Sequence, residues 1–218
     1  MELTPEYLAE NEDVIRRSTL YVMKGHDPDR YGGLVRFAQP FQSPTARILS
    51  VGCSGYEPIL YHATHALDVL PLAHDYLKEN GWTGEFVAGS VTALPWPDKF
   101  FDCAICSEVV EHLPADEDVL DAFREIDRVA KNWLITTPAS PIPEHTHKRF
   151  WPIEAASKYA ADFGANIIRV NLWWFISKSS SVFDVEQRAG PAPPFGSARS
   201  HVHHAKRAPG LPWVKIGV

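Results

Sequence analysis

The residues with the clearest chemical potential form a glycine-containing turn followed by a carboxylate. The segment RILSVGCSGYE at 47–57 has the pattern of a buried strand that runs into a turn at Gly52, and Asp68 closes a second short apolar stretch. A glycine turn lets backbone N–H groups approach a ligand, and a carboxylate after the next strand can accept hydrogen bonds from ribose hydroxyls. This pairing predicts a nucleotide pocket.

Alternating strand and helix patterns predict the sheet that would position these residues. Strands are expected at 47–51, 64–69, 85–88, 101–106, 133–137, 166–171 and 172–177. Helices are expected between them, at 71–79, 115–131 and 152–163. Strands separated by helices predict a Rossmann-like α/β fold, a doubly wound, mostly parallel seven-stranded sheet with helices on both faces.

Two more helices are predicted before the sheet, one from Thr4 to about Met23 and one from Asp27 through Phe37. We therefore divide the chain into an N-terminal helical cap at 1–45, a ligand-binding core at 46–180 and a C-terminal tail at 181–218. Extra N-terminal helices in such folds usually cover the pocket or shape the site of a second substrate.

Bulk properties narrow the class of protein. The 218 residues suffice for one well-buried α/β domain, and the net charge of −6 argues against nucleic acid as a partner. No apolar run reaches the roughly 18 residues that a membrane helix needs, and the N-terminus lacks the pattern of a signal peptide. A cytoplasmic protein with no membrane partner is expected.

The C-terminal tail differs from the rest of the chain in charge. After Glu186 it has five basic residues and no acidic one, so the first 186 residues carry −11. The tail also holds His201, His203, His204 and five prolines. Such a segment is typical of a solvated terminus. The alternative is a lid, or an arm in a homodimer, that folds over an acidic cleft or an anionic ligand.

The cysteines offer a weaker signal. Cys103 and Cys106 form a CxxC pattern inside the apolar run FDCAICSEVV, whereas a redox or zinc motif needs an accessible turn. We predict that both are buried packing residues, and that Cys53 is a small filler in the glycine turn.

Three ligands compete for the predicted nucleotide pocket. A P-loop needs a Gly-Lys-Ser/Thr ending, which this turn lacks, and a dinucleotide site needs the GxGxxG spacing, which is also missing. Glu57 would moreover repel a phosphate. S-adenosylmethionine (SAM) carries a ribose, an adenine and an amino-acid end without a phosphate, and it fits these residues.

A longer motif supports the third ligand. The segment GSVTALPWPDKFFDCAICSEVVEHL at 89–113, together with HKRFW at 147–151, resembles the corresponding segments of class I SAM-dependent methyltransferases, particularly the type-11 group. The resemblance extends from residue 47 to about 165. It implies a methyltransferase enzyme that uses SAM as its cofactor.

The resemblance also implies positions for the cofactor. Gly52 would lie under the methionine end, with Cys53 and Ser54 beside it, and Asp68 would hold the ribose 2′- and 3′-hydroxyls. An alternative role for Asp68 is to cap the helix near Pro71. The other implied contacts are Val69 and Leu70 at the adenine faces, Ser90 and Val91 at its edge, and Ser107 and Glu108 at the amino group and methyl.

Several positions depart from the family pattern. Ser50 stands where an acid is usual, Ser54 and Tyr56 stand where glycines are usual, and Ser90 replaces an aspartate. The short spacing between Tyr56 and Asp68 also predicts a short or partly unwound first crossover helix, which would bring Glu57, Tyr61 and His62 nearer to the pocket.

Methyl transfer to an alcohol needs a base in addition to alignment of the reactants. Four candidates lie in or before the loop SPIPEHTHKRFW, namely Glu144, His145, His147 and His112. The two loop histidines, His145 and His147, and the adjacent Glu144 also suit a divalent metal such as Mg²⁺ that orients the hydroxyl. Structural roles are the alternative, with His147 fixing its loop and His112 capping a helix.

The acceptor is less clearly indicated. Aromatic residues could offer faces to sugar rings or could belong to the core: Tyr31, Trp96, Phe150, Trp151, Trp173, Trp174 and Trp213. The chain is also similar overall to actinobacterial sugar O-methyltransferases, including those of methylmannose polysaccharide synthesis. We therefore expect O-methylation of a saccharide or small natural product, with a catalytically silent SAM-fold partner subunit as the alternative.

Overall fold

The structure is a computed structural model that describes residues 4–144 and 146–179. The predicted C-terminal tail therefore lies outside the described residues. Within the described part, no helix is both long enough and apolar enough to cross a membrane.

A seven-stranded sheet forms the centre of the molecule. Its strands, in chain order, are β1 Ile48–Val51, β2 His65–Asp68, β3 Glu85–Ala88, β4 Phe101–Ser107, β5 Ala130–Pro138, β6 Asn166–Val170 and β7 Trp173–Lys178. The spatial order is β3-β2-β1-β4-β5-β7-β6, and β7 runs antiparallel to both of its neighbours. The predicted mostly parallel, Rossmann-like sheet is confirmed.

Six α-helices accompany the sheet in the described part of the chain. They are α1 Pro5–Met23, α2 Pro28–Ala38, α3 Glu57–Leu60, α4 Leu72–Glu79, α5 Asp116–Val129 and α6 Ile153–Asp162. The first crossover helix, α3, has four residues, as the short spacing before Asp68 predicts. Two 3-10 turns, Gln39–Phe41 and Val110–His112, complete the elements.

Both faces of the sheet carry buried side chains, because successive side chains of a strand point to opposite faces. Ile105 packs in a cluster with Leu34 and Phe37 of α2. Its neighbour Ala104 packs with Phe123 of α5 and with residues of α6. Helices therefore cover both faces.

The same alternation separates the two residues of the CxxC pattern. Cys103 belongs to the cluster on the α2 face and Cys106 to the cluster on the α5 face. Both are buried and free, as is Cys53, and burial raises the pKa of each thiol. The structure agrees with packing roles for all three.

The sheet order places a crevice beside β1. This strand pairs in parallel with β2 on one side and with β4 on the other. The chain therefore reverses its direction of winding at β1, and open α/β sheets bind ligands at such a point, beyond the carboxyl ends of the strands.

Candidate functional site

The turn after β1 requires glycine at position 52. Gly52 has a φ of +66°, and a Cβ added there would lie 2.1 Å from Cγ2 of Val109. Its N–H donates to the Leu67 carbonyl at 2.8 Å. The backbone thus passes very close to the segment after β4, which leaves no room for a side chain.

The first N-terminal helix holds the other end of this turn. Thr19 of α1 accepts a hydrogen bond from the Gly55 N–H at its Oγ1, at 2.8 Å. A Cβ on Gly55 would lie 2.6 Å from the same oxygen. Helix α1 also contributes Val14, Ile15 and Ser18 to the wall of the cavity.

Ser50 does not face the cavity as a lone hydroxyl. Its Oγ lies 2.6 Å from the Tyr61 hydroxyl, and both side chains are buried. The position that usually carries an acid in the resembling family is therefore occupied by a closed hydroxyl pair. Glu57, at the start of α3, does line the cavity. Tyr61 and His62, which were expected near the pocket with it, are not among the lining residues.

Asp68 lies at the end of β2 and lines the cavity, where it is 5% exposed. Its Oδ1 accepts the Leu70 N–H at 3.1 Å, whereas α4 begins at Leu72 without a side-chain cap. Burial raises the pKa of Asp68 to about 7, against the opposing effect of hydrogen bonds from nearby backbone N–H groups. The carboxylate can thus accept hydrogen bonds from a ligand in the cavity.

The structure brings most of the predicted cofactor residues to one cavity. Those that line it are Gly52, Ser54, Asp68, Val69, Ser90, Val91, Ser107 and Glu108. Cys53 and Leu70 are buried in a third cluster, behind the cavity wall. Neither residue is among those that line the cavity.

One end of the cavity holds a buried cation between two acids. Arg30 of α2 donates from Nη1 to Ser107 Oγ at 3.0 Å. The same nitrogen lies 3.8 Å from Glu57 Oε1 and 3.9 Å from Glu108 Oε1. Glu108 is held in turn by Trp173, whose Nε1 donates to Oε2 at 2.9 Å. A guanidinium and two carboxyl groups therefore stand side by side at this end.

The charges at this end are incompletely paired. Arg30 Nε and Glu57 Oε2 are buried without a hydrogen-bond partner. Burial raises the pKa of Glu57 to about 8, although Arg30 acts in the opposite direction. Sequence reasoning missed Arg30 because it comes from a helix that the nucleotide fold does not need. The one feature of the sequence that pointed towards Arg30 is the prediction that the N-terminal helices cover the pocket.

The four predicted catalytic candidates have different surroundings. His112 lines the cavity, and its Nδ1 lies 3.2 Å from the Thr146 carbonyl oxygen. The ring of His147 lies 4.8 Å from that of His112. Glu144 does not line this cavity and forms an ion pair with Arg17 of α1 at 2.9 Å. His145 lies outside the described residues.

Burial lowers the pKa of His112 to about 4, with a further contribution from His147. Burial likewise lowers the pKa of His147. Both imidazoles are therefore neutral at pH 7 and keep a lone pair on one nitrogen. Such nitrogens can accept a proton or bind a cation.

A second depression adjoins this histidine pair. It is formed by Pro138, by the loop residues 140–144 and by the segment from His147 to Phe150. Phe150 is 45% exposed there, whereas the other described aromatic residues considered as sugar faces are buried: Tyr31, Trp96, Trp151, Trp173 and Trp174. Those five rings belong to the interior, so the expectation that they could offer faces to a sugar is wrong for them. Trp213 is outside the described residues.

A family model described as a methyltransferase domain, of the type-11 methyltransferase family, matches residues 49–133. This segment runs from β1 into β5 and contains the glycine turn, Asp68 and the turn at Val110–His112. No curated protein matches the chain.

Solved structures share the fold at low sequence identity. A TehB-like SAM-dependent methyltransferase from Corynebacterium glutamicum is 19% identical, with 78% of this chain and 97% of that chain covered and a TM-score of 0.57. The YcgJ protein from Bacillus subtilis is 18% identical, with 65% and 70% covered and a TM-score of 0.53. A SAM-dependent methyltransferase from Archaeoglobus fulgidus is 18% identical, with 62% and 67% covered and a TM-score of 0.50.

These likenesses concern the fold, and the family model concerns the segment that builds the cavity. The matched segment is thus similar to a methyltransferase domain, and the chain shares its fold with solved SAM-dependent methyltransferases.

Proposed function

We propose that this protein transfers a methyl group from SAM to a hydroxyl of a saccharide or small natural product. The observation that carries the proposal is the set of groups gathered in one cavity at the β1 switch point. The buried carboxylate of Asp68 and the guanidinium of Arg30, with its neighbour Glu57, line this cavity together with the glycine turn.

The lining fits the cofactor part by part. Asp68 would accept hydrogen bonds from the ribose hydroxyls, and Val69 and Val91 offer apolar contact to the adenine. The carboxylate of the methionine end would pair with Arg30, and its ammonium would pair with Glu57 or Glu108. These partners would satisfy the buried atoms of Arg30 and Glu57 that lack hydrogen bonds.

The cofactor supplies an electrophilic methyl group on a sulfonium, which needs no further activation. The work left to the protein is to hold the acceptor in line and to remove its proton. His112 and His147 stand between the cofactor cavity and the depression under Phe150, which places them well for an acceptor bound there. We assign the proton acceptor to this pair, since Glu144 is engaged with Arg17.

The acceptor class rests on the depression beside the pair. Phe150 offers one exposed aromatic face, and Lys148 and Ser140 add polar groups to the same lining. An apolar face with polar groups at its rim suits a sugar ring or a small polyol.

A methyl-transfer screen tests this function. The full-length protein is incubated with SAM and panels of saccharides and small phenols, and the release of S-adenosylhomocysteine is measured. Turnover with at least one hydroxyl compound, reduced in His112→Ala and His147→Ala, is the expected result. Turnover that is unchanged in both variants would remove the histidine assignment, and turnover with amine acceptors alone would remove the hydroxyl class.

One observation favours the alternative of a catalytically silent partner subunit. Ser50 is closed off by Tyr61 where the resembling family has an acid, so one of the usual cofactor contacts is missing. The cheapest discrimination is calorimetric titration with S-adenosylhomocysteine, because a silent subunit without cofactor affinity would give no binding heat.

A further inference from the structure

Three side chains of the metal-binding types meet at the edge of the cofactor cavity. Glu111 and His112 come from the 3-10 turn after β4, and His147 comes from the loop after β5. One donor atom from each lies within 4.8 Å of the other two. This set differs from the sequence hypothesis, which combined Glu144 with the loop histidines, because Glu111 replaces Glu144.

Backbone carbonyls orient both imidazoles. His112 Nδ1 lies 3.2 Å from the Thr146 carbonyl oxygen, which can only accept a hydrogen bond, so Nδ1 carries the proton and Nε2 keeps its lone pair. The His147 ring likewise hydrogen-bonds the backbone of Ile142. Histidines that bind metals almost always donate their other ring N–H to a carbonyl, carboxylate or water. Both rings thus have the support that metal ligands have.

The carboxylate of Glu111 is held in the same way and is incompletely satisfied. Its Oε2 accepts a hydrogen bond from Thr137 Oγ1 at 3.2 Å. Its Oε1 is buried without a hydrogen-bond partner, and the residue as a whole is 0% exposed. A buried acceptor without a partner is costly, and a cation between Glu111 and the two imidazoles would remove that cost.

We infer that Glu111, His112 and His147 form a binding site for a divalent first-row transition metal such as Zn²⁺. Two imidazole nitrogens and one carboxylate oxygen are a donor set that suits Zn²⁺ and its neighbours, whereas Mg²⁺ prefers oxygen ligands throughout. Ligands about 2.1 Å from one tetrahedral ion lie about 3.4 Å from each other. Donor atoms within 4.8 Å of one another therefore need only a small movement to reach this spacing.

Three protein ligands leave a coordination position for a further group, as in catalytic zinc sites. His112 lines the cofactor cavity, so this position is accessible from the side where an acceptor would meet the cofactor. In a role that rests on the proposed function, the acceptor hydroxyl oxygen binds the metal and its proton passes to water. A metal-bound His112 has no lone pair for that proton, so coordination then takes the place of direct abstraction by the histidine.

The test is metal binding by the full-length protein after removal of bound metal with EDTA. Zn²⁺ binding by the C-terminal histidines must be excluded. The substitutions His201→Ala, His203→Ala and His204→Ala are therefore introduced together, and this triple variant is the background for the titrations. Zn²⁺ is titrated by calorimetry, and Co²⁺ is followed by its visible absorption. The site predicts one ion per chain in this background.

In that background, His147→Ala should weaken Zn²⁺ binding by about 100-fold or more, given that even a supporting partner of a ligand is worth 10–100-fold. Glu111→Gln should weaken it similarly, and His74→Ala, a histidine stacked on Phe86 away from the site, should have no effect. Circular dichroism checks that each variant is folded. Loss of all binding in the background chain, or unchanged affinity in His147→Ala, would overturn the inference.

A parallel titration with S-adenosylhomocysteine separates the two proposals. If that ligand binds and Zn²⁺ does not, the metal site is wrong and the cofactor site of the proposed function stands. If Zn²⁺ binds and the cofactor product does not, the metal site stands and the methyltransferase function is wrong.

Discussion

Arg30 Nη1 donates a hydrogen bond to Ser107 Oγ at 3.0 Å, which joins the second N-terminal helix to the carboxyl end of β4 across 77 positions of sequence. The N-terminal helices therefore supply the cation of the cavity in addition to covering it. Since Glu57 and Glu108 flank the same guanidinium, the charge balance of the site depends on this one residue.

Replacing Arg30 tests that dependence. Arg30→Ala would leave buried Glu57 and partly buried Glu108 without their cation, which should reduce the free energy of unfolding by up to about 3–5 kcal/mol, the usual range for a broken buried pair. It should also weaken S-adenosylhomocysteine binding, because no cation would face the methionine carboxylate. Urea denaturation and calorimetry measure the two effects. Arg36→Ala, on the same helix but away from the cavity lining, is the control, and equal losses in both variants would contradict the role of Arg30.

Alanine substitutions at Gly52 and at Gly164 can be compared to test the close backbone approach at the glycine turn. Both have positive φ, +66° and +61°, but a Cβ on Gly52 would meet Val109 whereas one on Gly164 would meet nothing within 4 Å. Gly164→Ala should cost about 1 kcal/mol from the backbone conformation alone. Gly52→Ala should cost about 1–3 kcal/mol more, from overpacking against Val109. Thermal unfolding compares the variants, and equal shifts in Tm would show that the turn tolerates a side chain.

Asp68 should hold the ribose. Asp68→Asn removes a charged acceptor for two hydroxyls, and hydrogen bonds to charged groups contribute about 1.5–3 kcal/mol, so the Kd for S-adenosylhomocysteine should rise by about 10- to 100-fold. Asp75→Asn, on the exposed side of α4, should leave the Kd unchanged. An unchanged Kd in Asp68→Asn, measured by calorimetry, would place the ribose elsewhere.

Cofactor affinity should also depend on pH. Burial raises the pKa of Asp68 to about 7, so its carboxylate is mostly protonated at pH 6 and mostly ionised at pH 8. If the ionised form is the one that binds the ribose hydroxyls, the Kd should fall by about tenfold between these values. Glu57, whose pKa burial raises to about 8, adds to the trend in the same direction. In Asp68→Asn the dependence should shrink to the part that Glu57 contributes.

The ligand-free protein should show the opposite trend in stability. The folded-state pKa values of Asp68 and Glu57 are above their ordinary values, so the folded chain holds protons that the unfolded chain has released. The stability that these groups contribute is therefore complete below about pH 4 and is lost as the pH rises towards 8. Urea denaturation with and without S-adenosylhomocysteine should show the ligand offsetting this loss. A ligand effect that is independent of pH would contradict both assignments.

The sequence predicted the sheet well because its strands are short, apolar and separated by helical patterns. It also predicted the position of Asp68, since a carboxylate that ends a buried strand lies at the carboxyl ends of the strands. Leu70 was placed at the ligand by motif position alone. In the structure, the Leu70 side chain is buried in a cluster with Ala73 and Leu77 of α4, so its contact with the adenine stays a prediction.

The catalytic region was harder to predict because a loop has no fixed period. The pattern EHTH groups Glu144 with the histidines, but Glu144 pairs with Arg17, whose position in α1 no local pattern connects to the loop. Glu111 lies next to His112 in the sequence, yet only the packing of the loop from β5 against the turn from β4 brings His147 to them. Contacts of this kind depend on tertiary structure.

Calorimetric titration of the full-length protein with S-adenosylhomocysteine tests the central claim most directly. The cavity built from the glycine turn, Asp68 and Arg30 predicts one site per chain with a Kd of about 1–100 µM, in the lower range of common enzyme affinities. The absence of binding heat at high micromolar ligand, with the protein folded, would contradict the claim that this cavity is a SAM site.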